Sequence, residues 1–456
     1  MLKRKMYEKL LAWKRAEKRK VLLLFGARQT GKTFIVQEFA HKEYEHFVKV
    51  DFRQDADAAR LLAAATSSED LVSRLSLVAG GLPSNSLVFF DEVQEFGKEV
   101  VTLSKYLLED GRFDLILSGS LLGTFIHGVK SFPVGYAREE RMYPLDFEEF
   151  CWATNVPHSV ISQVKRAYES KEPLEESLHQ ALTALYRQYI VVGGMPEAVD
   201  AFVSNQRDLG AAQAIASEIG NQYRRDITKY AGDQKTSIAA IYDNIPAQLA
   251  KENKRFAMKA VGENGRYPRL QDSFSWLMEA GAVLPVYAVT EPKMPLMRTK
   301  EARKFKLYAS DCGMLASRYP QSASMDIVMG EGDGNYGAVY ENVVAQEIAS
   351  AGFSLYYYHN SRKGEVDFLL ETKQGMPLPI EVKSGKDYKL HTALNNLLGT
   401  EGYGIECAYV LSEHNVSVSQ RKGKPVYYLP LYMTMCLVEE ADTRVPGIHL
   451  PEVVFG

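Results

Sequence analysis

Residues 21–33 read Val-Leu-Leu-Leu-Phe-Gly-Ala-Arg-Gln-Thr-Gly-Lys-Thr, so Gly26 and Gly31-Lys32-Thr33 satisfy the spacing G-x-x-x-x-G-K-[ST]. The chemistry this spacing serves is phosphate binding. Glycines let a loop turn its backbone N–H groups around phosphate oxygens at a helix N-terminus. Lys32 is expected to reach the β- and γ-phosphates of ATP, and Thr33 to place its hydroxyl on Mg2+. The expected nucleotide-binding residues are Gly26, Ala27, Arg28, Gln29, Thr30, Gly31, Lys32, Thr33 and Phe34. The alternative is a strand–helix turn that binds nothing. Against it stand the apolar run before Gly26 and the helical spacing of Phe34-Ile-Val-Gln-Glu-Phe-Ala after the loop.

A second apolar run, Ser86-Leu-Val-Phe-Phe-Asp-Glu, ends in Asp91 and Glu92. An acid at the C-terminal end of a parallel strand lies near such a phosphate loop. Asp91 is expected to hold Mg2+, through water, and Glu92 to act as the general base that orients the attacking water. A polar strand end without a role is the alternative. Ser118 and Ser120, closing the run 113–118, are candidates for sensing the γ-phosphate or equally for capping the next helix.

A third set lies far downstream. Glu381 and Lys383 are two apart on an expected strand and so share a face. Asp367 lies on the strand before, and Glu341 on an expected helix at 340–348. Three carboxylates and a lysine suit phosphodiester hydrolysis: Glu341, Asp367 and Glu381 would hold Mg2+, and Lys383 would steady the attacking water or the phosphate. The alternative is an ion network on a docking platform. Arg362, Lys363, Lys386 and Lys389 surround the set and suit phosphate contact.

The elements that must position these groups follow from the patterning. Residues 21–150 alternate strand and helix, the pattern of a parallel sheet covered on both faces. Residues 151–235 have helical spacing and read as a lid, broken at Gly193-Gly194 and Pro196. Residues 236–320 suggest a winged helix, with helices at 245–251 and 266–281 and strands at 282–289 and 304–308. Lys251, Lys254, Arg255, Lys259, Arg266 and Arg269 make that stretch locally basic, for phosphate contact or for an interdomain module. Gly330–Gly337 reads as a linker. Residues 336–440 follow as helix, three strands, helix and strand, expected at 340–348, 353–358, 365–371, 378–384, 389–399 and 407–411.

Residues 1–20 carry nine Lys and Arg, with Leu2, Met6, Leu10, Leu11 and Trp13 spaced along one helix face. That helix either contacts nucleic acid or packs its apolar side on the following sheet. The 456-residue chain is 46% hydrophobic with a net charge of −3, so no global basic field argues for nucleic acid and any such site must be a local patch. Four scattered cysteines without a C-x-x-C exclude a sequence-recognisable zinc site and suit a reducing cytoplasm. No apolar run approaches the ~18–20 residues of a membrane span, and the N-terminus lacks a signal-peptide pattern.

Several separated motifs resemble a prokaryotic family of AAA-superfamily ATP-binding proteins with a C-terminal domain of unknown function. They are Arg28-Gln-x-Gly-Lys-Thr, Asp91-Glu-Val-Gln, Ser118-Gly-Ser, Tyr143-Pro-Leu-Asp-Phe-Glu-Glu-Phe, Gly193-Gly-Met-Pro-Glu, Arg225-Asp-Ile-Thr-Lys-Tyr, Ile245-Pro-Ala-Gln-Leu-Ala-Lys-Glu-Asn, Phe305-Lys-Leu-Tyr, Asp311-Cys-Gly-Met-Leu and Glu365-Val-Asp-Phe-Leu. The resemblance spans nearly the whole chain and implies architecture and ATP binding. The family often has a basic residue after the glycine where this chain has Gly135-Tyr136. Arg138 and Arg141 are the nearby candidates for a trans-acting arginine finger, which would require a homo-oligomer; surface ion pairs with Glu139 or Glu140 are the alternative. Arg224 and Arg225 face nucleotide, a neighbouring subunit, or solvent. The downstream acid set and its order of elements resemble the PD-(D/E)XK nuclease fold.

The expectation is therefore an α/β chain with a P-loop AAA-type core, helical lid, winged-helix-like middle and restriction-endonuclease-like C-terminal domain. Two function classes follow. One is an ATPase acting on DNA through a nuclease domain. The other is an ATP-dependent switch or scaffold that binds DNA or protein. A P-loop kinase is disfavoured by Glu92, since small-molecule kinases lack the Asp-Glu pair of the AAA and helicase class.

Overall fold

The computed structural model describes residues 2–17, 20–97, 99–122, 135–262, 265–330, 336–372, 375–385, 388–389 and 391–441. Five strands, β1 Val21–Phe25, β2 Phe47–Asp51, β3 Leu87–Asp91, β4 Asp114–Ser118 and β5 Ala137–Arg141, form a parallel sheet in the order β2-β3-β4-β1-β5. Every residue of β1, β3 and β4 is buried, as continuous apolar strands between two helix layers must be. Side chains alternate between the layers. Leu23, Val88, Phe90 and Leu117 pack with Leu71, Leu75 and Leu103 on one face, while Leu22, Leu24, Phe89 and Ile116 pack with Ile35, Val36 and Phe39 on the other.

The N-terminal helix Met6–Lys14 buries Met6, Leu10 and Trp13 against that second face. Lys5 pairs with Asp146 and Glu148, and Lys9 with Glu140. The apolar side of the helix thus packs on the sheet; Lys18 and Arg19 lie outside the described residues.

From Phe147 to Leu249 the described chain is helical, with helices Phe147–Ala153, His158–Ser170, Glu176–Val192, Pro196–Ser204, Leu209–Tyr230 and Lys235–Leu249. Asp146 and Glu149 build a capping box at the first of these. A second sheet then collects β6 Val283–Val289, β7 Lys300–Ala309, β8 Tyr356–Asn360, β9 Gly364–Glu371, β10 Pro377–Val382, β11 Ala408–Ser412, β12 Ser417–Arg421 and β13 Lys424–Pro430. Its order is β12-β13-β11-β10-β9-β8-β6-β7.

β6 pairs antiparallel with β7 and parallel with β8, so strands of the middle segment extend the C-terminal sheet. The helices pack on the same core: Tyr189, Ile219 and Ile241 share it with Val343, Phe368, Ile380 and Leu411. The helix Gly337–Ser350 runs through this core. Its Asn342 bonds the Ala309 backbone, and Gln346 accepts from Cys312 N at 2.7 Å. The first C-terminal strand starts at Tyr356 rather than at residue 353, and the expected linker falls largely on residues outside those described. No helix among the described residues is long and apolar enough to cross a membrane.

Candidate active site and acidic centre

The phosphate loop joins β1 to the helix Lys32–Glu43. Gly26 has φ +149°, and a Cβ there would lie 2.3 Å from the Met142 carbonyl oxygen, so only glycine fits where β5 closes on the loop. Gly31 (φ +92°) turns the chain into the helix. Lys32 folds back across the loop, its Nζ donating to the carbonyls of Gly26 at 2.9 Å and Ala27 at 2.7 Å. Burial lowers the Lys32 ammonium to about 8 against the opposing pull of Glu92 and Asp91.

β4 lies between β1 and β3, which brings its last residue between loop and acid. Thr33 Oγ1 donates to Asp91 Oδ2 at 2.7 Å, and Ser118 donates to Asp91 Oδ1. Lys49 Nζ stands 3.5 Å from Asp91. Glu92 takes a left-handed conformation (φ +53°), accepts from Gln94, and has Ser120 Oγ 3.4 Å from Oε2. Hard hydroxyl and carboxylate oxygens converging at the loop fit a Mg2+ ion held by Thr33 and Asp91.

Three contacts tie this loop to other elements. Buried Arg4 donates to Thr30 O at 2.9 Å, to Tyr143 O at 2.7 Å and to Glu149 at 3.0 Å. Arg28 pairs with Asp226, and its carbonyl accepts from Tyr223 at 2.7 Å. Gln29 donates to Gln222 at 2.7 Å. The last two contacts come from the helix Leu209–Tyr230. Phe34 is half exposed beside the loop.

The second centre lies at the C-terminal sheet. Glu341, buried on the helix Gly337–Ser350, accepts from Tyr308 at 2.6 Å and pairs with Lys254 and Lys306. Asp367 Oδ2 on β9 accepts from Val382 N at 3.0 Å. Glu381 on β10 pairs with Lys383 at 2.9 Å, and its buried Oε2 has no hydrogen-bond partner. Burial would raise Glu341, but Lys306 and Lys254 outweigh it and hold this carboxyl below its usual range. Burial and the Glu341 charge raise Asp367; burial and the Asp367 charge push Glu381 up to about 8. Glu341 thus faces two lysines, while Asp367 and Glu381 each face one.

Residues 18–151 match the family described as an AAA domain. This part of the chain is similar to an AAA domain and forms the chain's AAA-like domain. Residues 183–324 and 336–432 match two domains of unknown function, DUF8612 and DUF4143. No curated protein matches the chain. Among solved structures, the Aeropyrum pernix ORC1 protein in complex with DNA is 14% identical, covering 71% of this chain and 90% of its own with a TM-score of 0.29. The Thermotoga maritima RuvB Holliday junction branch migration motor is 16% identical, with 65% and 91% covered and a TM-score of 0.28.

Thr33, Asp91, Glu92, Ser118 and Ser120 come together beside the loop. Arg138 lies on edge strand β5 and bonds Glu140 at 2.7 Å, the ion-pair alternative, while exposed Arg141 ends that strand beside Gly26 and Ala27. Arg224 pairs with Asp243, and Arg225 is exposed. At the acidic centre Glu341, Asp367, Glu381 and Lys383 converge, but Lys254 and Lys306 intrude among them. Among the described residues no group of three or more His, Cys, Asp or Glu side chains is placed to hold a metal ion. Lys363 bonds Thr400 at 2.9 Å, Arg362 and Lys389 are exposed, and Lys386 lies outside the described residues. Sequence reasoning missed Arg4, Asp226, Lys306 and Glu365, whose partners are remote in the chain; only the family-like stretches at 225–230, 305–308 and 365–369 could have flagged the last three.

Proposed function

We propose that this chain binds and hydrolyses ATP with Mg2+ through its AAA domain and passes nucleotide state to the C-terminal sheet, which acts on nucleic acid or protein as an ATP-dependent switch. The observation that carries this reading is the joint placement of Lys32, Thr33, Asp91, Glu92 and Ser118. Lys32 leaves its two carbonyl partners for the phosphates, Thr33 and Asp91 hold Mg2+, and Glu92 polarises water for attack on the γ-phosphate. Ser118 bonds Asp91 and so links the occupied loop to β4. The helix Leu209–Tyr230 gives the route outward: it grips Arg28 and Gln29, and the next helix leads to Lys254 at the acidic centre. An arginine finger from a second copy, Arg141 being the exposed candidate, would make the working unit a homo-oligomer. ATP binding and turnover by wild type, Lys32→Ala and Glu92→Gln test the reading. Lys32→Ala is expected to lose binding, and Glu92→Gln to keep binding while losing at least 10²-fold in turnover. Equal turnover in all three would defeat it.

Metal-dependent DNA cleavage by the C-terminal domain is the second reading. It is favoured by Glu381 Oε2, a buried carboxylate oxygen without a partner beside Asp367. Plasmid and single-stranded DNA incubated with Mg2+ or Mn2+ should then be cut by wild type and spared by Asp367→Ala.

A further inference from the structure

Lys306 is the most deeply buried cation of the acidic centre, with its side chain 1% exposed. It shares a face of β7 with Tyr308, whose hydroxyl bonds Glu341. Its Nζ stands 2.7 Å from Glu365, 3.5 Å from Asp367 and 3.6 Å from Glu341, and lies over the Tyr357 ring at 5.1 Å. An ammonium has three donors and no acceptor, and here three carboxylates and an aromatic face surround it.

Two of the acids are correspondingly committed. Glu341 is engaged by Lys254, Lys306 and Tyr308, and Asp367 by Lys306 and the Val382 amide. A divalent ion such as Mg2+ binds through one or two carboxylates and keeps several waters. Here it would have to share those carboxylates with a buried ammonium that repels it. Four carboxylates, Glu341, Glu365, Asp367 and Glu381, face three ammonium groups, Lys254, Lys306 and Lys383, so the centre lies close to neutrality without any ion. The residues present do not fit the two- or three-acid metal site that the nuclease resemblance implies.

We propose that Lys306 is the resident cation of this centre, standing where a divalent metal would otherwise be held, and that the C-terminal domain works without metal. The inference is independent of the ATP site and removes the second reading above. It also gives Lys254 a purpose: the middle segment is anchored to the acidic centre by an ion pair, not by shared metal ligation.

Counting bound Mn2+ by electron paramagnetic resonance tests it on the full chain, in wild type, Asp367→Asn and Lys306→Met. The AAA domain's own Mn2+ is common to all three. Wild type and Asp367→Asn are expected to bind equal numbers of ions. Lys306→Met is expected to gain one per chain, with a rise in Tm on adding Mn2+ that wild type lacks beyond its AAA share. Loss of one ion in Asp367→Asn would overturn the proposal, as would a folded Lys306→Met that gains none. If Lys306→Met fails to fold, the comparison of wild type with Asp367→Asn decides alone.

Discussion

Arg4 shows how much a single side chain distant from the P-loop in sequence can determine. Its guanidinium bonds the Thr30 carbonyl inside the loop, the Tyr143 carbonyl beyond β5 and the Glu149 carboxylate, with both ion-pair side chains under a tenth exposed. Removing one partner of such a pair strands a buried charge, typically costing 3–5 kcal/mol. Arg4→Met is therefore expected to lower Tm and to weaken ATP binding, because the loop carbonyl loses its donor. Arg4→Met with Glu149→Leu should recover part of the stability, since Glu149 also accepts from the Lys5 and Asp146 amides, and none of the affinity. Measuring both by thermal melts and nucleotide titration separates positioning of the loop from bulk stability; full recovery of affinity in the double variant would refute it. The contrast with Lys32 explains what could be read directly. The phosphate loop is contiguous, and its chemistry is written in thirteen neighbouring residues. Arg4 reaches Glu149 across 145 positions, and Lys306 reaches Asp367 across 61, so nothing local distinguishes either from an ordinary surface cation.

At the scale of elements, legibility followed burial. β1, β3 and β4 are continuous apolar runs and could be placed from sequence. β5 reads Ala-Arg-Glu-Glu-Arg, an edge strand with one polar side, and has no apolar signature to announce it. The β12–β13 hairpin was missed for the same reason: β12 is largely exposed, and its turn rests on Lys422 and Gly423 at positive φ. The strands at 283–289 and 300–309 were recognisable, but their partner was not, since pairing with β8 is decided by the whole sheet and not by the hairpin. The helix Leu209–Tyr230 likewise reads as helical without revealing that it rests on the phosphate loop. That contact makes a prediction. The Arg28–Asp226 pair is about one-fifth exposed on each side, so its worth is at the upper end of a surface pair, ~1 kcal/mol. Asp226→Asn should speed amide exchange of residues 222–230 by about fivefold without nucleotide, as local opening becomes cheaper by that amount. Unchanged exchange there would mean that the helix is held by its apolar face alone.

The whole molecule is fastened at Glu347, where the helices Phe147–Ala153, Glu176–Val192 and Gly337–Ser350 meet. Its Oε1 accepts from Phe147 N and from the Tyr189 hydroxyl, each at 2.9 Å. Burial and the Asp146 charge push this carboxyl up to about 8, against the hydrogen bond from Tyr189 and the charge of Lys5. In the unfolded chain it titrates near 4.5. Between those values the folded protein holds a proton that the unfolded chain has released, so unfolding expels a proton. Stability from this group is then greatest below about 4.5 and falls as pH rises toward 8, with a slope of at most about 1.4 kcal/mol per pH unit. Glu347→Gln keeps an oxygen for both donors and has no proton to lose. Its Tm should decline less than that of wild type, because the raised Glu381 is common to both, so the difference, variant minus wild type, should grow steadily from pH 5 to pH 8. Parallel melting curves across that range would mean that Glu347 is ionised in the fold and that Lys5 supplies its counter-charge. A growing difference would mean that the three segments are joined through a neutral carboxyl, a junction that screening by salt cannot loosen.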